Sequence, residues 1–177
     1  MTVEIRLVAV EDTAEITALV TSNQEFLAPW EPVRSADYAS EATQRQLIED
    51  ALARHAIGSA VPLVITEAGS IVGRINLNDI VRGAFQSAHL GYWVSQDHNG
   101  RGVATAAVGA AVELAFGDYA LHRVQAGTLL HNRGSRRVLQ RNGFTEIGRA
   151  PRYLKIAGEW QDHLLFQRIS DQRVSSA

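Results

Sequence analysis

Gly100, Arg101 and Gly102 stand where an apolar run, Leu90–Val94, and a polar stretch, Ser95–Asn99, give way to an alanine-rich segment. A strand, a glycine turn and a helix start, in that order, build an anion site from backbone alone. The first turn of a helix has N–H groups without intrahelical acceptors and lies at the positive end of the helix dipole. Glycines leave no Cβ between that backbone and an incoming phosphate. The chemistry to expect is capture of a pyrophosphate. Two common nucleotide loops do not fit: Thr105 stands where a dinucleotide fingerprint has its third glycine, and no Gly-Lys-Ser/Thr closes a Walker A loop. A tight strand-to-helix turn without a ligand is the alternative reading.

A second segment, His131–Phe144, reads HNRGSRRVLQRNGF. It predicts a short helix with Val138 and Leu139 on one face, stopped by Asn142-Gly143. Together the two segments resemble the GNAT superfamily of acyl-CoA-dependent N-acetyltransferases. In that family a Q/R-x-x-G-x-G/A loop wraps the pyrophosphate of acetyl-CoA, and a later N-x-x-S/A helix ending in G-F flanks the pantetheine arm. Here the first reads Asp97-His98-Asn99-Gly100-Arg101-Gly102, with Asp97 departing from the family's Gln or Arg. The second runs from Asn132-Arg133-Gly134-Ser135 to Gly143-Phe144. Arg6–Arg34, and above all Asn23-Gln24-Glu25-Phe26-Leu27-Ala28-Pro29-Trp30-Glu31-Pro32, resembles the RimJ/RimL-type branch, on its RimJ side. That branch acetylates N-terminal amines of ribosomal proteins, and the resemblance runs from about Ile5 to Ile169.

The resemblance implies that a neutral amine attacks the thioester of acetyl-CoA directly, in a ternary complex. A proton must leave the ammonium, the oxyanion must be stabilised, and the departing thiolate must be met by a donor. No covalent enzyme intermediate is needed, so a chain without cysteine lacks nothing. His89 is the candidate base, where several members place glutamate; an imidazole of ordinary pKa about 6.5 takes a proton near neutrality, directly or through water. Ordered water alone is the second route, with substrate positioning as the main contribution; a structural role on one strand face is the third reading. Ser135 matches the serine that RimL-like members use near the thioester sulfur, and equally suits bonding helix-start amides. Asn132 is expected on the pantetheine and as helix N-cap.

For the donor, the resemblance implies the backbone N–H of Val94 at the oxyanion, with Trp93 beside it. It assigns the pyrophosphate cradle to Asn99, Gly100, Arg101, Gly102, Val103, Ala104 and Thr105. Arg136, Arg137 and Arg141 either meet the 3′-phosphate or form a solvated helix face. On the acceptor side Glu25 is the candidate for an α-ammonium, Trp30 between two prolines for a groove wall, and Asp162, beside His163, for a substrate contact. RimL-like members carry a catalytic glutamate just before a tyrosine; here Arg152 precedes Tyr153, so that role does not transfer. No metal site is expected.

These residues need elements to position them. Val3–Val8 alternates as a strand. Asp12 or Thr13 caps a helix with Ile16, Leu19 and Val20 inward, which ends at Ala28-Pro29-Trp30-Glu31-Pro32. A second helix is expected over Tyr38–Arg54 with Leu47, Ile48, Ala51 and Leu52 as its stripe. Strands follow at Val61–Glu67, Ser70–Ile80 and Gln86–Val94, then helix Gly102–Phe116, strand Arg123–Thr128 and the Asn132 helix. Two strands around Phe144–Arg149 and Asp162–Ile169 close the chain. The pattern predicts an α/β fold; the GNAT resemblance adds a mixed central sheet flanked by helices, with a splayed strand pair leaving a V-shaped cleft for pantetheine. One domain over residues 1–170 and a polar tail over 171–177 are expected.

At 177 residues, 46% hydrophobic and 20% charged, the chain suits one soluble globular core. A formal net charge of −2 predicts no broad binding to nucleic acid or anionic membrane. The start lacks a signal peptide's apolar core, and no apolar run nears the roughly 20 residues of a membrane span, so a cytoplasmic protein is expected. The acceptor amine stays open at this point. It is a protein N-terminus, or a small amine such as an antibiotic, polyamine or amino acid, and a non-catalytic acyl-CoA-binding module is the remaining reading. A homodimer is neither required nor excluded.

Overall fold

The computed structural model describes residues 2–171; the polar tail expected over 171–177 therefore lies outside the described residues, apart from Asp171. One seven-stranded sheet in the order β1-β2-β3-β4-β5-β7-β6 organises the chain. Its strands are β1 Val3–Leu7, β2 Val61–Glu67, β3 Ser70–Val81, β4 Ser87–Val94, β5 Arg123–Leu129, β6 Thr145–Ile156 and β7 Glu159–Ile169. All neighbours pair antiparallel except β4 and β5, which run parallel. The helices are α1 Thr13–Leu27, α2 Glu41–Ala56, α3 Val103–Phe116 and α4 Arg133–Arg141.

Strand alternation divides the core between two layers. Leu63 and Ile65 of β2, Ile75 and Leu77 of β3, and Ala88, Leu90 and Val94 of β4 pack with α3 through Val103, Ala107, Val108, Ala111 and Val112. Val64 and Ile71 point to the other face, where Ile16 and Val20 of α1 and Ile48 of α2 cover them, with Trp93, Leu19 and Leu52 against the same cluster. A strand covered on both faces is largely apolar, and β2 is buried at every position, with polar side chains only at Thr66 and Glu67.

Two boundaries differ from the sequence reading. Helix α2 starts at Glu41 rather than near Tyr38, because the Ser40 hydroxyl caps it by accepting the Thr43 N–H at 3.2 Å. The last two strands are longer than expected and form one hairpin through Ala157-Gly158, from Thr145 to Ile169. Pro151 obscures this in the sequence. In the structure it sits on the edge strand β6, where the register shifts between Ala150 and Leu154 and no ladder N–H is required of it.

The feature that matters for function lies between β4 and β5. They pair only at Ser87–Arg123, Ala88–Val124 and His89–Gln125, then diverge. The side of β4 that faces the gap follows from the β3 ladder. Ser95 N–H bonds Val72 C=O at 2.8 Å, and backbone groups alternate along an antiparallel strand. The N–H and C=O groups of Leu90, Tyr92 and Val94 therefore point away from β3, into the splay.

The N-terminal entry is tied by an ion pair. Arg6 Nη1 and Nη2 donate to the two oxygens of Asp12 at 2.8 Å each, and Asp12 also accepts the Ala9 N–H. Arg6, by its hydrogen bonds above all, holds the Asp12 carboxyl below its ordinary 3.8. A depressed folded pKa stabilises above the unfolded value and is lost as pH falls through the folded one. Asp12→Asn should lower unfolding free energy by about 1–3 kcal/mol near neutrality. In denaturant titrations the gap to the parent protein should shrink as pH is taken below about 4.

Candidate active site

A cavity of about 510 Å³ opens where β4 leaves β5, walled by the end of α1, the end of β4, the loop 98–102, the first turn of α3 and α4. Gly100 and Gly102 have φ of +74° and +87°, a left-handed conformation that side chains with a Cβ adopt only at a cost. Nothing in the protein lies within 4 Å of where their Cβ atoms would stand. Backbone conformation, not crowding by protein, is what requires glycine here. Gly102 is the N-cap of α3 and makes no side-chain cap; its C=O accepts the Ala106 N–H at 3.0 Å. The amides of Val103, Ala104 and Thr105 thus precede the helix's own ladder, and all three residues line the cavity.

The charges agree with an anion. Arg137 and Arg141 of α4 line the cavity, and no Asp or Glu does. Arg136, grouped with them in the sequence, is not on the wall. Arg101 is turned away: its guanidinium lies 3.7 Å from the buried Glu67 carboxylate, which also lies 3.5 Å from His98 Nε2. Arg101 and His98 thus share one brace to the end of β2. Asn99 is on the wall, but its amide is spent on the loop, donating to the carbonyls of Val94 and Ser95 at 3.2 and 3.1 Å.

Two further braces were not legible in the sequence. Buried Asn23 of α1 accepts the Gln96 N–H at 2.8 Å and reaches Ser95 Oγ at 3.3 Å. Asn142, past the end of α4, donates to Thr105 C=O at 3.1 Å, fixing α4 against the first turn of α3. Both are side-chain contacts over more than 30 residues, for which spacing carries no signal.

Opposite the glycine loop, Asn132 caps α4 by accepting the Ser135 N–H at 3.0 Å, so both residues reach the cavity in one turn. Ser135 Oγ lies 2.8 Å from the Tyr92 hydroxyl across the splay. Tyr92 is the site residue that the sequence reading missed. Burial pushes its phenol up to about 12 against the opposing pull of the Ser135 hydrogen bond, so at neutral pH it holds its proton and can only donate or share it. The pair faces the same cavity as Val94, whose N–H points into the splay and which lines the wall with Trp93.

Trp30 walls the end of the cavity under α1, with its ring 5.4 Å from that of His131. The other expected acceptor contacts lie elsewhere. Glu25 is exposed on α1 and off the wall. Asp162 accepts the Arg152 N–H at 2.8 Å and pairs with Arg149; these bonds, the backbone one first, keep its carboxyl below the ordinary value. It pins the irregular part of β6, where Arg152 has a φ of +49°. His89 sits at the vertex of the splay and not on the cavity wall. Its Nε2 is 3.1 Å from Gln125 Oε1 and its Nδ1 3.9 Å from Asp79. Among the described residues no cluster of His, Asp or Glu could hold a metal ion, and no helix is long and apolar enough to cross a membrane.

Known proteins share this arrangement. Residues 2–145 match the family described as Acetyltransferase (GNAT) domain. The Probable N-acetyltransferase YjcK of Bacillus subtilis (strain 168) is 35% identical over 164 residues, covering 92% of this chain and 91% of that protein. The [Ribosomal protein uS5]-alanine N-acetyltransferase of Escherichia coli (strain K12) is 33% identical over 163 residues, covering 91% and 84%. Among solved structures, Mycobacterium smegmatis RimJ in complex with CoA-disulfide superposes with a TM-score of 0.92 at 33% identity, over 98% of this chain and 85% of that one. A splayed mixed sheet, a glycine-opened helix at its mouth and these matches give one conclusion: the chain belongs to the GNAT acetyltransferase family.

Proposed function

We propose that this acetyltransferase moves an acetyl group from acetyl-CoA to the N-terminal α-amine of a protein, a ribosomal protein by its likeness to the uS5-alanine enzyme, and that it does so in the cytoplasm. The observation that carries the donor half is the meeting of three features on one cavity: an uncapped helix start, an unpaired strand edge and a hydroxyl pair. Acetyl-CoA supplies the activated carbonyl. The amides of Gly102 to Thr105, aided by Arg137 and Arg141, suit its phosphates. The open edge of β4 offers alternating donors and acceptors to an extended amide chain, as an added strand would meet them. Asn132 stands beside that path.

For the chemistry, the N–H of Val94 is the backbone donor for developing negative charge on oxygen. Ser135 and Tyr92 supply a hydroxyl hydrogen bond at the sulfur end. With its phenol raised to about 12, Tyr92 gives that bond without surrendering its proton. For proton removal the structure supports the water route over direct transfer to His89, because His89 lies off the wall and is engaged with Gln125. Positioning then carries most of the rate enhancement.

Three outcomes test this reading. Gly102→Ala should weaken CoA binding about 10-fold through backbone strain alone, and Gly102→Glu about 100-fold or more by adding a carboxylate where phosphate belongs, both by calorimetry. Ser135→Ala should lower kcat about 10–100-fold and Tyr92→Phe less, with CoA affinity held, while His89→Ala stays within a few-fold of the parent. Thioester consumption should occur with peptides bearing a free α-amine. Turnover confined to polyamines, aminoglycosides or free amino acids overturns the protein acceptor.

A further inference from the structure

Arg74 of β3 stands directly across from Trp93 of β4. Cross-strand partners share a face, so it lies on the α1/α2 side of the sheet, the face that Trp93 presents to α1, α2 and Tyr38. That is the side of the sheet opposite α3, where α1 brings Phe26, Leu27 and Trp30 to the cavity. The Arg74 Nε is fully buried and has no hydrogen-bond partner. Among the described residues no ion pair involves Arg74. The charged or titratable groups that act on it are Tyr38 and a second cation, Arg34. Arg34 lies 4.4 Å over the Tyr38 ring and donates to Glu31 at 2.8 Å. The Glu31 carboxylate is thus taken by Arg34, and Arg74 has no carboxylate within ion-pair distance among the described residues.

Such an arrangement is unusual on physical grounds. A guanidinium does not deprotonate in proteins, and a charge taken out of water without a counter-ion is costly. Burial is the largest influence on Arg74 and pushes it below its ordinary value, with Arg34 adding to the same effect. The fold keeps the pair nonetheless, in a segment that is firmly held: Glu31 C=O accepts the Ala157 N–H at 3.0 Å from the β6–β7 turn. The same segment carries Trp30, which walls the cavity.

From this we infer that Arg74, with Arg34, is a binding site for a carboxylate on the acceptor, namely an acidic side chain close to the N-terminus of the protein being acetylated. A planar fork of donors suits a carboxylate. The same charge disfavours polycationic amines, so the site selects a class of acceptor. The inference rests on the protein-acceptor reading above and deepens it.

The test measures kcat/KM with acetyl-CoA and short peptides carrying Glu, Gln or Lys at their second, third or fourth residue, with carboxylate-bearing amino acids and their amides alongside. At one position the Glu peptide should exceed its Gln counterpart by about 10-fold, chiefly through KM, with Lys below both. Arg74→Gln should erase that gap and Arg74→Glu should favour Lys, with acetyl-CoA affinity retained as the sign of an intact fold. Arg34→Gln, a change at an exposed side chain, should narrow the gap, and it decides the matter together with Arg74→Lys if Arg74→Gln does not fold. Equal rates for Glu and Gln peptides, or a gap that survives these substitutions, overturns the site. If only small amines turn over, the protein acceptor falls; the carboxylate site then stands if acids outrun their amides and falls if they do not.

Discussion

Parallel pairing between β4 and β5 ends at His89, and beyond it the backbone groups of Leu90 and Tyr92 and the N–H of Val94 face a gap instead of a strand, while the Val94 C=O accepts the Asn99 amide. Buried backbone groups left without partners cost free energy comparable to a lost hydrogen bond. A sheet that opens in mid-strand must therefore give that edge to water or to a ligand. The surrounding structure is arranged to keep the gap open and filled with suitable chemistry. The α3 start closes one end with free amides, α4 crosses the far side with Asn132 and Ser135, and α1 covers the mouth with Phe26, Leu27 and Trp30.

The two sides of the opening have different electrostatic tasks. The donor side combines the helix start with Arg137 and Arg141 and places no carboxylate on the wall. Glu67 is buried behind the loop and spent on His98 and Arg101. The whole chain has a net charge of −2, so the positive character is local. It arises from where backbone amides and a few guanidinium groups are aimed, not from composition.

Legibility in the sequence followed the range of the interaction. The glycine loop was legible because a left-handed backbone at Gly100 and Gly102 leaves a residue-type signature. Asn132 and Ser135 were legible through the family's N-x-x-S/A motif, and the spacing of an N-cap and its partner on one helix turn agrees with it. Tyr92 was not, since its partner is a hydroxyl 43 residues away and its neighbours read simply as a strand. Asp162 read as a substrate contact because nothing local announces Arg149 on the adjoining strand. His89 was placed on the right strand, but only the last rung of the β4–β5 ladder showed that it stands at the vertex, bonded to Gln125. The splay itself leaves no trace in composition or periodicity; it came from the family resemblance and is explained by the pairing.

One consequence of the bracing joins the two halves of the site. Asn23 on α1 holds the start of the donor loop through Ser95 and Gln96. Within the next two turns the same helix delivers Phe26 and Leu27 to the cavity, and Trp30 follows at its end. A helix is stiff over that distance, so the start of the glycine loop and the Phe26–Leu27 part of the wall are held in one fixed relation. Asn23 is buried, and both atoms of its amide are committed; a rotation of α1 would strip at least one of those bonds, leaving the loop to its braces through Glu67 and Asn99. Asn23 thus couples the α1 side of the cavity to the glycine loop through one buried side chain, a constraint that neither the glycine motif nor Trp30 contains by itself.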